Sequence, residues 1–301
     1  MKGACSEVLV TLVARGRTRV AADLVALTKP RVLVMVLLTT LVGYDVGLMG
    51  SADYLRILHL LVGTLLAAGG TLALNQYLER ELDARMERTR ARPLPAGRLQ
   101  PLEAWLFGTA LTVLGTAYLA VLVGPLVALV TMLTTILYLF AYTPLKPRTP
   151  LCTLVGAVPG ALPPVAGWAA ARGDVTLGAW VLFGILFLWQ LPHTLSIARL
   201  YRDDYARAGL RVLPATDPDG ASTERQIVLA GVALLSVSVL PAAIGWTGPI
   251  YLAGALVLGV AFAGVGVAHA LAPSPRGARR VLLASLLYLP LLLGLLAFDR
   301  I

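Results

Sequence analysis

The sequence predicts an all-α, polytopic membrane protein with nine transmembrane helices and a cytoplasmic N-terminus. Three observations predict it. First, 58% of the 301 residues are hydrophobic and only 14% are charged, against roughly 25% charged in an average soluble domain. Second, the mean hydropathy is +0.80, and apolar runs recur along the whole length. Third, 22 of the 25 basic residues fall on one side of a nine-span arrangement. A soluble chain this apolar would expose large greasy patches. Disordered chains are polar and charge-rich. The 2 cysteines, Cys5 and Cys152, are too few and too far apart for a disulfide scaffold or a metal knuckle.

A spanning helix needs roughly 20 apolar residues. Runs that meet this lie near 31–50, 57–77, 104–122, 124–142, 152–170, 176–198, 227–245, 250–271 and 279–298. Proline or glycine interrupts several, which membrane helices tolerate because neighbours satisfy the freed backbone groups. The third and fourth runs are separated only by Gly124-Pro125, so they require a tight hairpin. With the N-terminus inside, the outer segments keep only Arg56, Arg172 and Arg300. That asymmetry follows the positive-inside rule, and an eight-span arrangement would scramble it. The net charge of +9 therefore reads as topology and contact with the anionic lipid bilayer, not as nucleic-acid binding. Residues 1–28 hold four basic residues and a short apolar stretch, Val8 to Val13. The stretch is too short for a signal peptide. The spacing of Arg15, Arg17 and Arg19 also suits a mitochondrial presequence, but a short cytoplasmic tail is preferred. Residues 29–301 then form the transmembrane domain, in a bacterial or archaeal cell membrane.

The chemistry is expected at the inner mouth, on loops 78–103 and 199–226. Asn75, Glu79 and Asp83 are spaced i, i+4, i+8 and share one helix face. One amide and two carboxylates are a hard-oxygen set of the kind Mg2+ takes beside substrate phosphate. Arg88, Arg90 and Arg92 follow, and guanidinium forks match phosphate oxygens. The plainer alternative is a solvated helix end with weak ion pairs. Asp203-Asp204 lies on the same side between Arg202 and Arg207, as a second acidic loop or merely a solubilising one. Lys146 could steady a leaving diphosphate and Tyr142 donate to it, unless both only anchor the interface. His193 lies deep in the sixth run, one turn after Trp189 and next to Pro192. An intramembrane histidine faces a cavity or a partner. Here it would line a site where a flat aromatic stacks on Trp189, or simply bond a neighbouring helix. His59 and His269 fall near span ends and read as interfacial, as does Asp45. Asp217 and Asp219 read as a turn.

The run NQYLERELDARMERTRARPLPAGRL, from Asn75 to Leu99, resembles the first motif of the UbiA superfamily of intramembrane prenyltransferases, with Glu79 in place of the middle aspartate. Leu27-Thr-Lys-Pro-Arg-Val32, Tyr142-Thr-Pro-Leu-Lys146, Trp189-Gln-Leu-Pro-His193 and Asp204-Tyr-Ala-Arg-Ala-Gly209 are similar to its protoheme IX farnesyltransferase branch. The likeness covers about residues 21–300. It implies nine helices around a central cavity open to lipid. It also implies Mg2+-dependent transfer of farnesyl from farnesyl diphosphate to a vinyl group of heme B, with addition of water, to give heme O. In that scheme Asn75, Glu79, Asp83, Asp203 and Asp204 hold the metal. Arg88, Arg92 and Lys146 add positive charge to the diphosphate, and His193 and Trp189 orient the porphyrin. Heme O would pass to a downstream heme A synthase or terminal oxidase assembly. Thr194 and Leu210-Arg211-Val212 depart from the branch pattern and weaken the acceptor assignment more than the donor. The rivals are a relative that prenylates a quinone precursor or a chlorophyll-type ring, and, from another class, a transporter or heme carrier.

Overall fold

The structure, a computed structural model, describes residues 19–301. The expected tail over 1–28 lies largely outside the described residues; residues 19–27 within it are helical. Nine helices among the described residues are long and apolar enough to cross a membrane. They are α1 (Pro30–Gly47), α2 (Tyr54–Asp83), α3 (Pro101–Leu122), α4 (Pro125–Leu145), α5 (Cys152–Arg172), α6 (Leu177–Leu200), α7 (Ala221–Ala243), α8 (Pro249–Leu271) and α9 (Pro275–Phe298). Successive crossings place Lys29, Asp83, Lys146 and Leu200 at one face of the bundle and the 299–301 end at the other.

Five helices, α1, α3, α4, α8 and α9, start with proline in the first turn, where its missing N–H costs nothing. The α3–α4 hairpin turns at Gly124, whose φ of 149 only glycine adopts readily. Packing relies on small residues, as expected where lipid offers no hydrophobic drive between helices. A Cβ on Gly70 of α2 would lie 2.5 Å from Gly108 O of α3, and one on Gly167 of α5 would lie 1.9 Å from Thr40 O of α1. These contacts draw α2 against α3 and α1 against α5, and α1, α2, α4 and α5 enclose an apolar cavity of about 140 Å³, walled in part by Val36, Thr71, Thr135 and Tyr138.

Two departures from the sequence expectation position the site. α2 is 30 residues long and does not stop at 77. At 1.5 Å per residue it runs about 45 Å, against a hydrocarbon core of about 30 Å. Its last turns carry Glu79 and Asp83 beyond the apolar zone, and the first inner loop begins at 84 rather than 78. Secondly, α4 widens to a π-helix over Leu137–Tyr142. Pro144 cannot donate to the preceding turn, and Thr143 Oγ1 bonds Tyr138 O at 2.8 Å instead. The second inner loop also shrinks, to 201–220, because α7 begins at Ala221 and short helices at Arg202–Arg207 and Leu213–Thr216 order it. His269 is not interfacial: it is 2% exposed, and its Nε2 lies 2.9 Å from Glu224 Oε2. Asp217 is no mere turn residue. It accepts from the Thr223 N–H and hydroxyl, both at 2.7 Å, at the start of α7.

Candidate active site at the charged face

Asn75, Glu79 and Asp83 do share one face of α2, and all three are buried. Each residue meets, through one oxygen, a basic side chain from a different part of the chain. Lys29 Nζ, just before α1, donates to Asn75 Oδ1 at 2.8 Å. Lys146 Nζ, just after α4, lies 2.5 Å from Glu79 Oε1. Arg92 Nη1, in the first inner loop, donates to Asp83 Oδ2 at 2.6 Å. Asn75 Nδ2 donates to Thr143 Oγ1 at 3.1 Å, which joins α2 to the wide turn of α4. A lone buried charge is expensive, so burial of these groups requires the pairing seen. Three basic side chains face two carboxylates, and the excess of basic groups favours an anion at this mouth.

Lys29, at the N-cap of α1, stands in a left-handed conformation, φ 49, which is uncommon for a residue other than glycine. Burial pushes its ammonium down to about 7, against the pull of Glu79. Lys146 is also buried, but Glu79 in direct contact, with Tyr142 and Tyr138 beside it, outweighs desolvation and holds it well above the usual lysine range. Its ammonium sits 4.4 Å from the centroid of the Tyr142 ring. Tyr142 thus meets the cation with its ring face.

Asp204 lies on the second inner loop and grips the first. It accepts from the backbone N–H groups of Glu87 at 3.3 Å and Arg88 at 3.4 Å, and pairs with Arg207. The Arg207 bond, then those N–H groups, hold its carboxyl below the usual range. Asp203 is exposed on the wall of an open pocket of about 520 Å³ with Arg88 and Tyr201. Arg88 packs over the Tyr201 and Tyr205 rings and donates to Tyr205 Oη at 3.2 Å. Arg211 N donates to Lys146 O at 2.8 Å, so the same loop also braces the Lys146 turn.

The structure therefore brings Asn75, Glu79, Asp83, Arg92 and Lys146 together, with Tyr142 beside them. It places Asp203, Asp204 and Arg88 at a neighbouring loop junction. Among the described residues no three His, Cys, Asp or Glu side chains cluster as a metal centre. The column still fits a hard divalent cation. Its donors are all oxygens, and no hydrogen bond or ion pair among the described residues takes Glu79 Oε2 or Asp83 Oδ1.

Trp189 and His193 form a separate group. Their rings stack at 4.9 Å and 20°. Trp189 Nε1 donates to Ser285 O of α9 at 2.7 Å, and His193 Nδ1 meets Ser285 Oγ at 2.9 Å. One face of the Trp189 indole is thus taken by His193. Gln190 instead reaches α5, donating to Ala157 O at 2.8 Å. Lys29 is the site residue that chemistry alone did not single out. Its signal was a basic residue wedged between the 19–27 helix and Pro30.

Nine helices able to span a membrane among the described residues, an apolar cavity among four of them and a buried column of oxygens and basic groups at one face define an intramembrane protein with a charged mouth. The profile of the UbiA prenyltransferase family matches residues 36–296, and the chain belongs to that family. It is 50% identical over 287 residues to the protoheme IX farnesyltransferase of Solibacter usitatus, covering 92% of this chain and 98% of that one. It is 43% identical over 288 residues to the protein of that name from Koribacter versatilis, covering 92% and 93%. Among solved structures it is similar to a digeranylgeranylglyceryl phosphate synthase, with a TM-score of 0.79, 15% identity and coverage of 93% and 98%. A UbiA homologue from Archaeoglobus fulgidus bound to DMAPP and Mg2+ gives a TM-score of 0.66 at 15% identity, covering 91% and 99%.

Proposed function

We propose that the chain transfers the farnesyl group of farnesyl diphosphate to a vinyl group of heme B, with addition of water, and so makes heme O. Identity of 50% over 92% of the chain to a protoheme IX farnesyltransferase carries the acceptor assignment. The charged column above an apolar cavity carries the donor half. The charge bias supports an active face on the cytoplasmic side of a bacterial or archaeal cell membrane. A heme A synthase or an oxidase assembly would take the product.

Lys29, Lys146 and Arg92 hold the diphosphate at the end of α2 and stabilise the charge it gains as the allylic C–O bond breaks. Asn75, Glu79 and Asp83 would hold Mg2+, which when bound neutralises diphosphate oxygens as a Lewis acid. The prenyl chain enters the cavity between α1, α2, α4 and α5, where water is excluded from the allylic carbon. The terminal vinyl carbon of heme forms the new C–C bond, water adds at the inner vinyl carbon, and diphosphate and a proton leave. Asp204 and Arg207 keep the two inner loops together over the head group. His193 faces heme with Nε2, since Ser285 holds Nδ1.

Purified protein given heme B, farnesyl diphosphate and Mg2+ should convert heme to a species heavier by farnesyl plus water, read by mass spectrometry. Diphosphate release with 4-hydroxybenzoate as acceptor, and none with heme B, would overturn the acceptor.

A further inference from the structure

The apolar cavity between α1, α2, α4 and α5 has a definite floor. On these four helices the wall residues farthest along the chain from the charged face are Thr40, Thr64, Thr131 and Ala166. One turn further toward the opposite face stand Tyr44, Leu60, Val127 and Ala170. A residue four positions along a helix lies on the same side of it. None of these four is more than 2% exposed, and all belong to a single packed core. At the same depth α1 and α5 come into backbone contact, where a Cβ on Gly43 would collide with Pro164 O. Space resumes only past this layer, in a separate pocket of about 350 Å³ lined by Tyr44 and Ile57.

The wall above the floor is apolar although it carries six threonines. Thr40, Thr71 and Thr134 donate their hydroxyls at 2.8 Å, and Thr131 at 2.9 Å, to carbonyls four residues back in their own helices. Thr135 Oγ1 meets Thr71 Oγ1 at 2.9 Å. These hydroxyls are spent within the protein, which leaves a lining suited to hydrocarbon.

The depth can be read from helical rise. Thr64 lies 11 residues before Asn75, and Thr40 lies 11 residues after Lys29. At 1.5 Å per residue both helices put the floor about 16 Å from the charged column. Covalent geometry gives an extended isoprene unit, four chain bonds, a length of about 5 Å, so three units need about 15 Å and four about 20 Å. A fourth unit would have to enter the layer of Tyr44 and Leu60, because one helical turn, about 5.4 Å, is close to one isoprene unit.

We propose that Leu60 and Tyr44, backed by Val127 and Ala170, set the length of the prenyl donor, admitting three isoprene units and excluding a fourth. This rests on the proposed placement of the diphosphate at the column and of the prenyl chain in the cavity.

The test measures binding of geranyl, farnesyl and geranylgeranyl diphosphates to the purified full chain with Mg2+ by calorimetry, and then transfer of each to heme B. Each result is read as a ratio between two donors on the same protein, so a loss of folded fraction cancels. Wild type should favour farnesyl over geranylgeranyl diphosphate by about tenfold or more. Leu60→Ala opens the floor and should raise geranylgeranyl relative to farnesyl about tenfold. Thr64→Leu fills the deepest wall position on α2 and should shift the preference toward geranyl by about the same factor. Thr64 Oγ1 has no hydrogen-bond partner among the described residues, so that change breaks no bond. If Leu60→Ala fails to fold, Thr64→Leu decides alone. Unchanged ratios in the folded variants would overturn the proposal, as would a wild type that binds farnesyl and geranylgeranyl diphosphates equally. Ratios that shift as stated without any heme product would keep the floor and overturn the heme acceptor. A wild type that binds no prenyl diphosphate would overturn the donor reading and the floor with it.

Discussion

The α2 column and the α6 pair are both polar groups held inside a membrane protein, yet they are built in opposite ways. In the column each of the three side chains meets a basic group through one oxygen, and the three basic groups come from residues 29, 92 and 146. In the pair, the ring nitrogens of Trp189 and His193 bond one neutral residue among the described residues, Ser285. Ionic pairing across distant segments tolerates little displacement, because a broken buried pair leaves an uncompensated charge. Neutral hydrogen bonds can be exchanged for others at small net cost. On the proposed function, the column would be a rigid anion holder fixed before substrate arrives, and the α6 pair a surface able to re-pair when a ring enters. The difference then bears on specificity: charge would define the donor end, and shape and a single histidine nitrogen the acceptor end.

Breaking the column should have the largest effect. Asp83→Asn removes one of the two carboxylates and leaves Arg92 unmatched. Turnover should fall by about a thousandfold or more, as when a principal charge-stabilising group is lost. Helical content and membrane insertion should be retained, because α2 keeps its packing. Stopped assays with heme B and farnesyl diphosphate read the loss directly, and near-normal turnover would remove Asp83 from the site.

His193→Ala should act on the other side of the comparison. Heme affinity should fall about tenfold, while the affinity for farnesyl diphosphate changes less than twofold. Heme absorbance titration against diphosphate competition separates the two. Equal losses would mean that His193 supports the fold through Ser285 and does not face the acceptor.

Much of this contrast was legible in the sequence, and the reasons for the rest are physical. The spans were legible because lipid demands about 20 apolar residues per crossing, and the Asn75–Asp83 column because helical spacing is local. The length of α2 was not, since hydropathy ends near 77 while helical hydrogen bonding continues to 83. Asp204 could be seen as acidic, but its grip on the Glu87 and Arg88 N–H groups is a long-range contact that no spacing encodes. His269 looked interfacial because it lies near a helix end; only packing reveals Glu224 beside it. Lys29 was hidden for the same reason, since its partner is 46 positions away.

Lys29 gives the smallest effect and the sharpest probe of whether the column is an anion holder. Burial lowers its ammonium to about 7. The unfolded chain would titrate it near 10.4, so between about 7 and 10.4 the unfolded state binds more protons. Stability therefore gains from rising pH across that window, and this contribution is flat below it. Substrate binding has the opposite preference, because a diphosphate favours the charged amine. Binding of farnesyl diphosphate should take up almost no proton through Lys29 at pH 6 and an increasing fraction of one proton above pH 7. Affinity should weaken over the same range by at most about one decade per pH unit. Calorimetry in buffers of different ionisation enthalpy measures that uptake. Diphosphate and the remaining side chains titrate as well, so the informative quantity is the difference between the wild type and Lys29→Arg, which stays charged throughout. A difference that grows above pH 7 places a titrating ammonium on the diphosphate. Identical uptake in the two proteins would leave Asn75 as its only partner, and the column would then hold its anion with Lys146 and Arg92 alone.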